Sequence, residues 1–316
     1  MRILLLLLIL LSTISFAEDS EQLPVEYFTK FDDYRSVTIS PDGKHFAVRA
    51  INDGKIALIF IRREDMAVVG GTKGPNEGQI TSVQWVNNER VVYTSAYDNG
   101  YLDANVTAGH LYAVNVDGSD NQTIFAPRYT GYRIISLLPE EEDYILLATF
   151  PPVNGRSQSS RDLGRHTEIV KLDINWGRSR KLYRMPLRNS LPIADDQGHV
   201  LFTVATTIND ETRVFSRASD DDEWVEQAIH ERTSDKVRPL SLSSDGRYAV
   251  LWDEEGADGM GVLYRYDLKT KDLQVLHESK EVTLNQWFSD SKTKLPIIGL
   301  SAPDDYIYHY FDPEHL

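Results

Sequence analysis

The stretch "SVTISPDGKHFAVRA" (36–50) returns in nearly the same form as "PLSLSSDGRYAVLWD" (239–253). Each copy places a tight turn, Ser-Pro-Asp-Gly or Ser-Ser-Asp-Gly, between two short runs in which apolar residues alternate. Proline and glycine suit the backbone of such a turn, and a period of two is typical of a β-strand. Both stretches therefore predict a β-hairpin, and its return predicts a repeated structural unit.

The hairpin recurs along the chain with different turn residues. Its other copies occupy 80–96, 132–150, 189–206 and 282–300. Between copies lies a second hairpin, of which "VLYRYDLKTKDLQVLHE" is an example. Two hairpins make a four-stranded unit, and its repetition at roughly 45 to 57 residues is typical of a β-propeller. A β-sandwich would not repeat this regularly, and a β-helix repeats at a much shorter period.

We therefore expect an all-β protein, a β-propeller of four-stranded blades at 36–316, after a lead-in at 18–35. Five units are complete, and the sixth has three strands, the third at Tyr306–Asp312. Residues 22–31 are a candidate for a further strand, because closure of the ring protects sheet edges. The stretches 95–109 and 151–166 are rich in Gly, Asn and Ser and predict loops on the propeller faces.

The first 17 residues are typical of a secretory signal peptide. A basic start at Arg2 precedes the apolar run 3–11, and Ser15-Phe16-Ala17 ends the segment in a small-x-small pattern. An uncleaved anchor is the alternative, but the run is short for a bilayer span. We expect cleavage after Ala17 and an exported protein, periplasmic or secreted, with no membrane attachment after cleavage.

Composition excludes several classes of partner and site. The net charge of −15 argues against nucleic acid and against anionic lipid, since both attract basic surfaces. Removal of Arg2 with the signal peptide brings the mature charge to −15 − 1 = −16. The chain has no cysteine, so disulfides and cysteine-ligated metals are impossible.

No pattern in the sequence predicts a catalytic, cofactor-binding or metal-binding residue. The eight histidines show no metal-ligand spacing. The acidic runs 140–143 and 220–223 fall in predicted turns, where like charges are normally solvated. The five tryptophans mostly occupy strand or turn positions of the repeat, which favours packing between blades over a ligand platform. We expect no cofactor.

The order of phrases resembles the N-terminal propeller of the prolyl oligopeptidase family of serine peptidases, in its exported bacterial form. The phrases that carry the resemblance are "LPVEYFTKFDDYRSVTISPDGKHFAV", "QWVNNERVVY", "GHLYAVNVDGSDNQTIF", "SLLPEEEDYILLATF", "VKLDINWGRSRKLYRMPLRN", "LYRYDLKTKDLQVLHE" and "YHYFDPEHL". The resemblance implies a propeller followed by an α/β-hydrolase domain with a Ser-Asp-His triad.

The sequence departs from that family in one decisive respect. It contains no G-x-S-x-G motif and no alternation of strands and helices, so the hydrolase domain is not found in it. The resemblance implies a substrate-gating role for the propeller, with a hydrolase domain or peptides as partners, and we expect no catalysis by this chain alone. The alternative is a stand-alone propeller, similar to that of TolB-type proteins, that acts as a protein-interaction module.

Overall fold

The computed structural model describes residues 34–75, 78–98, 105–126, 131–150, 166–207, 209, 211–256, 259–302 and 305–311. The segments predicted as signal peptide (1–17) and as loop (151–166) lie outside these residues, except for His166. So does the candidate strand at 22–31. No helix in the described residues is long and apolar enough to cross a membrane.

The described chain folds into six antiparallel sheets, the blades of a β-propeller, in which strands adjacent in sequence are adjacent in space. Blades 1 to 3 contain the strands β1 (Tyr34–Ile39), β2 (His45–Asn52), β3 (Lys55–Arg62), β4 (Val68–Thr72), β5 (Gln79–Trp85), β6 (Arg90–Asp98), β7 (Asn105–Asn115), β8 (Gln122–Phe125), β9 (Tyr132–Ser136), β10 (Tyr144–Thr149), β11 (Glu168–Asp173) and β12 (Ser179–Arg184).

Blades 4 to 6 contain the strands β13 (Ser190–Ile193), β14 (Phe202–Thr206), β15 (Thr212–Ser216), β16 (Val225–Gln227), β17 (Val237–Leu242), β18 (Tyr248–Asp253), β19 (Val262–Asp267), β20 (Leu273–Glu278), β21 (Gln286–Ser289), β22 (Pro296–Ser301) and β23 (Ile307–Tyr310). A short 3-10 turn follows β16. The predicted all-β propeller, with five four-stranded blades and a three-stranded sixth, is confirmed.

The two repeated turns are built from the same hydrogen bonds. In blade 1 the Ser40 hydroxyl donates to the Asp42 carboxylate at 2.7 Å and accepts the His45 backbone N–H at 3.0 Å. In blade 5 the Ser243 hydroxyl donates to Asp245 at 2.5 Å and accepts the Tyr248 backbone N–H at 2.8 Å. The near-identical sequences at 36–50 and 239–253 therefore specify near-identical turns.

The hydrophobic core lies between blades rather than at one centre. Among the described residues, five buried clusters each join two successive blades. Between blades 1 and 2, the ring centroids of Phe60 and Trp85 are 6.0 Å apart. Between blades 5 and 6, the rings of Trp252 and Trp287 stack at 5.8 Å. Since each sheet of blades 2 to 5 packs against two neighbours, its inner strands are nearly continuous apolar runs.

The expectation of a loop at 95–109 is wrong in part. Strand β6 continues to Asp98, and β7 already begins at Asn105. Tyr97 pairs with Val106 within this extension of the hairpin. The physical reason is that a cross-strand ladder continues as long as both chains remain extended, and Asn or Thr in the stretch does not prevent pairing at the end of a hairpin.

Candidate functional site

A groove of about 950 Å³ lies between blades 4 and 5. Blade 4 contributes the end of β15, the β15–β16 turn and β16, and blade 5 contributes its β17–β18 and β19–β20 turns. The two turns of blade 5 are joined by a hydrogen bond from the Leu268 N–H to the Arg247 carbonyl at 2.8 Å. The size lies within the range of small-molecule sites. We call this feature the blade 4–5 groove.

Two polar contacts join the two blades at residues that line the groove, and one of them is the buried hydrogen bond from the Tyr266 hydroxyl to Gln227 Oε1 at 3.0 Å. In the other, the ammonium of Lys271, in the β19–β20 turn, donates to the hydroxyl of Ser216 at the end of β15 at 3.1 Å. Ser216 is 1% exposed, whereas Lys271 is an exposed residue whose ammonium contacts this buried hydroxyl. Burial lowers the pKa of the Lys271 ammonium, and the charge of nearby Asp267 counteracts part of that effect.

The two arginines of the groove are already occupied. The Arg217 guanidinium donates to the Val200 carbonyl at 2.8 Å and to the Asp220 carbonyl at 2.6 Å, and it also pairs with the Asp220 carboxylate. Arg247 donates twice to one carboxylate oxygen of Asp267, at 3.1 and 2.8 Å. Hydrogen bonds from Arg247 lower the pKa of Asp267 to about 2. Both arginines therefore hold turns in place.

The walls of the groove are apolar and its rim carries acids. Leu201, Val225 and Leu268 supply hydrocarbon surface, and Val225 is 59% exposed. Asp222 and Glu223 lie on the blade 4 side of the rim. A ligand in the groove would therefore meet the Lys271 ammonium, an apolar wall, and a rim that carries Asp222, Glu223 and Lys269.

The first and last blades expose apolar side chains that their counterparts bury. Val37 and Ile39 on β1 are 57% and 48% exposed, and Phe288 on β21 is 46% exposed. On the equivalent first strands of blades 4 and 5, β13 and β17, the apolar side chains are buried or half-buried. Contiguous exposed apolar surface marks a site of interaction. We call β1 and β21 the exposed first strands.

The histidines are arranged differently from the sequence expectation in one place. His277 on β20 and His309 on β23 are far apart in sequence, yet their ring centroids lie 4.3 Å apart between blades 5 and 6. Burial and the neighbouring His309 lower the pKa of His277. The sequence spacing of these two histidines did not predict that their rings would be in contact, because the contact forms only when the two blades pack together. In the described residues no group of three or more His, Cys, Asp or Glu converges on a metal position.

The acidic runs lie in turns, as predicted. Residues 140–143 are exposed between β9 and β10, where Glu141 pairs with Lys171. Asp220 in the second run pairs with buried Arg217, which the sequence did not indicate. Four tryptophans pack as predicted, namely Trp85, Trp224, Trp252 and Trp287. Trp176 is 74% exposed, so the prediction that the tryptophans pack between blades does not hold for it.

Nothing in the sequence indicated the blade 4–5 groove. Ser216 and Lys271 are 55 positions apart and belong to different repeats. Neither falls in a motif, and their contact depends on how two blades pack. A search of the sequence for motifs had no signal with which to find them.

The fold is similar to that of the propeller domains of serine peptidases. The acylaminoacyl peptidase of Pyrococcus horikoshii matches with a TM-score of 0.55 and 16% identity, over 89% of this chain and 44% of that one. The β-propeller domain of the trilobed protease from Pyrococcus furiosus, described as having an open velcro topology, matches with a TM-score of 0.52 and 14% identity, over 89% of this chain and 86% of that one.

An oligogalacturonate lyase in complex with manganese has a similar fold, with a TM-score of 0.53 and 13% identity over 90% of this chain and 79% of that one. No protein-family model matches the sequence, and no curated protein is significantly similar to it. The predicted likeness to peptidase propellers is confirmed for the fold. The chain spans less than half the length of the acylaminoacyl peptidase.

Proposed function

We propose that this chain is the substrate-gating propeller of a serine peptidase of the prolyl oligopeptidase type. The observation that carries the proposal is the apolar surface of the exposed first strands, β1 and β21, in a fold otherwise similar to peptidase propellers. A domain that works alone normally covers such surface, whereas a domain within a larger enzyme leaves it for its partner.

The proposed role is to restrict access, since nothing in the chain supplies a nucleophile in the family's motif. A propeller placed over a hydrolase active site admits short peptides and excludes folded polypeptides. The hydrolase supplies the serine, the base and the oxyanion donors of acyl transfer. This chain by itself is then inactive.

Two experiments test the proposal. The purified chain is assayed on dipeptide and oligopeptide substrates, and we expect no turnover; activity that remains after repurification would contradict the inactive propeller. The DNA that follows the Leu316 codon is then sequenced. A hydrolase domain with G-x-S-x-G in that DNA supports the gating role, and unrelated sequence after a stop codon supports the stand-alone interaction module.

Export is a second proposal, carried by residues 1–17. We expect the mature protein to begin at Glu18, because the small-x-small pattern ends at Ala17. N-terminal sequencing of protein recovered from the periplasmic fraction checks this. A substitution of Ala17 by Arg should block cleavage and retain the precursor, whereas Ala17→Ser should be processed normally. Recovery of intact Met1 from the soluble cytoplasm would contradict export.

A further inference from the structure

We propose that the blade 4–5 groove binds a small apolar monocarboxylate, whose carboxylate accepts hydrogen bonds from the Lys271 ammonium and the Ser216 hydroxyl. The chemistry fits the C-terminus of a short apolar peptide or a short fatty acid. The inference goes beyond the proposed gating role and does not depend on it, since the groove lies within two blades of this chain.

The lysine is the group that selects an anion. Of the four cations that line the groove, Arg217 and Arg247 already bind carboxylates, and Lys269 lies at the rim, which leaves Lys271 as the ammonium hydrogen-bonded to a buried groove residue. The hydrogen bond described for the Lys271 ammonium goes to a neutral hydroxyl, Ser216. An ammonium carries three donors, and hydrogen bonds to a carboxylate are stronger than those to neutral oxygens. A bound carboxylate would therefore give the Lys271 ammonium a stronger hydrogen bond than the one it makes to the Ser216 hydroxyl.

Asp267 does not serve as that carboxylate. One of its oxygens accepts two hydrogen bonds from Arg247, and the other accepts the backbone N–H groups of Lys269 and Thr270 at 2.8 and 3.1 Å. It acts on Lys271 at longer range and keeps the turn rigid. The Lys271 N–H also donates to the Asp267 carbonyl at 2.9 Å, which fixes the start of the lysine side chain.

The groove surface away from Lys271 and Ser216 determines what the ligand can carry besides its carboxylate. Leu201, Val225 and Leu268 would contact a hydrocarbon body. Asp222 and Glu223, on the blade 4 side of the groove, repel a second negative charge placed beside them, which disfavours a dicarboxylate whose second group points toward blade 4. A cavity of about 950 Å³ holds a ligand of several residues or a short acyl chain. A ligand with a single carboxylate on an apolar body fits the Lys271 ammonium, the apolar walls and the acidic side of the groove.

Calorimetric titration of the full chain tests the inference. The probes are N-acetyl-leucyl-leucine and hexanoate, each against its neutral amide. We expect at least one acid to bind about tenfold or more tightly than its amide, because a charge-assisted hydrogen bond is lost. Whichever acid binds better identifies the source as peptide or fatty acid. Absence of binding by both acids, or equal binding of acid and amide, overturns the proposal.

Two variants test whether the tighter binding of the acid depends on the groove. Lys271→Met should weaken the acid about tenfold and leave the amide unchanged. Lys236→Met is the matched control, because Lys236 pairs with Glu255 outside the groove, and it should leave binding unchanged. Equal effects of the two variants would contradict the assignment.

A measurement on the unmodified sequence remains decisive if Lys271→Met does not fold. Reductive methylation followed by mass spectrometry reports the accessibility of each lysine. The bound acid should protect Lys271 more than Lys269, which lies at the rim of the same groove. Equal labelling of Lys271 with and without the acid would overturn the proposal.

Discussion

At the scale of single residues, the most informative feature is the contact between His277 and His309. The Nε2 atom of His277 is buried and has no hydrogen-bond partner among the described residues. Charging this ring therefore costs desolvation and repulsion from His309, and both lower its pKa from the ordinary 6.5. Phe311 packs against the same ring at 6.2 Å between centroids. The site favours the neutral imidazole.

Acid should destabilise the fold through His277. The unfolded chain binds the proton near pH 6.5 and the folded chain only at lower pH. Stability from the neutral ring is therefore complete above pH 6.5 and is lost as pH falls through the folded pKa. When the pH is lowered from about 8 to about 5, the melting temperature of His277→Leu should fall less than that of the parent protein. The difference should be about 2–4 °C for each kcal/mol of unfolding free energy that the variant retains. An equal loss in both proteins would show that another group is responsible.

At the scale of elements, Gly261, just before β19, lies against the tryptophan pair that joins blade 5 to blade 6. Gly261 has a φ of +75°, and a Cβ there would overlap the ring of Trp252. That ring stacks on Trp287 of blade 6. Gly259 in the same turn has a φ of +74°, but apart from its chain neighbours nothing lies within 4 Å of the position that a Cβ would take there. Substitution at Gly259 therefore measures backbone strain alone, whereas substitution at Gly261 measures backbone strain together with the clash against Trp252.

Gly259→Ala should cost about 1–2 kcal/mol of unfolding free energy, the penalty of a left-handed backbone. Gly261→Ala should cost about 1–3 kcal/mol more, because the tryptophan stack must shift. Urea titration followed by tryptophan fluorescence measures both. Equal losses in the two variants would mean that the turn absorbs the extra methyl group without moving the indole ring.

At the scale of the whole molecule, the terminal blades differ from the central ones. The central blades bury their sheets in clusters shared with two neighbours. The exposed first strands of blades 1 and 6 present Val37, Ile39 and Phe288 to solvent. Such surface promotes association when the chain is alone.

The isolated chain should therefore associate with increasing concentration in sedimentation velocity experiments. The double variant Val37→Thr, Phe288→Thr should associate less, because it removes apolar area from both exposed first strands. Val68→Thr, Val275→Thr is the control, since these exposed valines (68% and 43%) lie on the outer strands β4 and β20. If the control lowers association as much, the effect is general hydrophobicity, and the exposed first strands are not the surface responsible.

Most of the fold was predictable from local patterns. The turn signals and the alternation of apolar residues placed the first hairpin of every blade, and the strands β1 and β2 pair with Val37 opposite Val48, as the repeat predicts. The extension of β6 and β7 to Asp98 and Asn105 was missed, because strand ends depend on pairing rather than on composition.

The sequence by itself determined the repeat, the turn chemistry and the all-β class, because these depend on residues within about ten positions of one another. Only the tertiary structure decided which residues of different blades meet. Ser216 reaches Lys271, and His277 reaches His309, across distances in sequence that no motif spans. The groove and the exposed first strands arise from blade packing, and packing is a property of the assembled sheets.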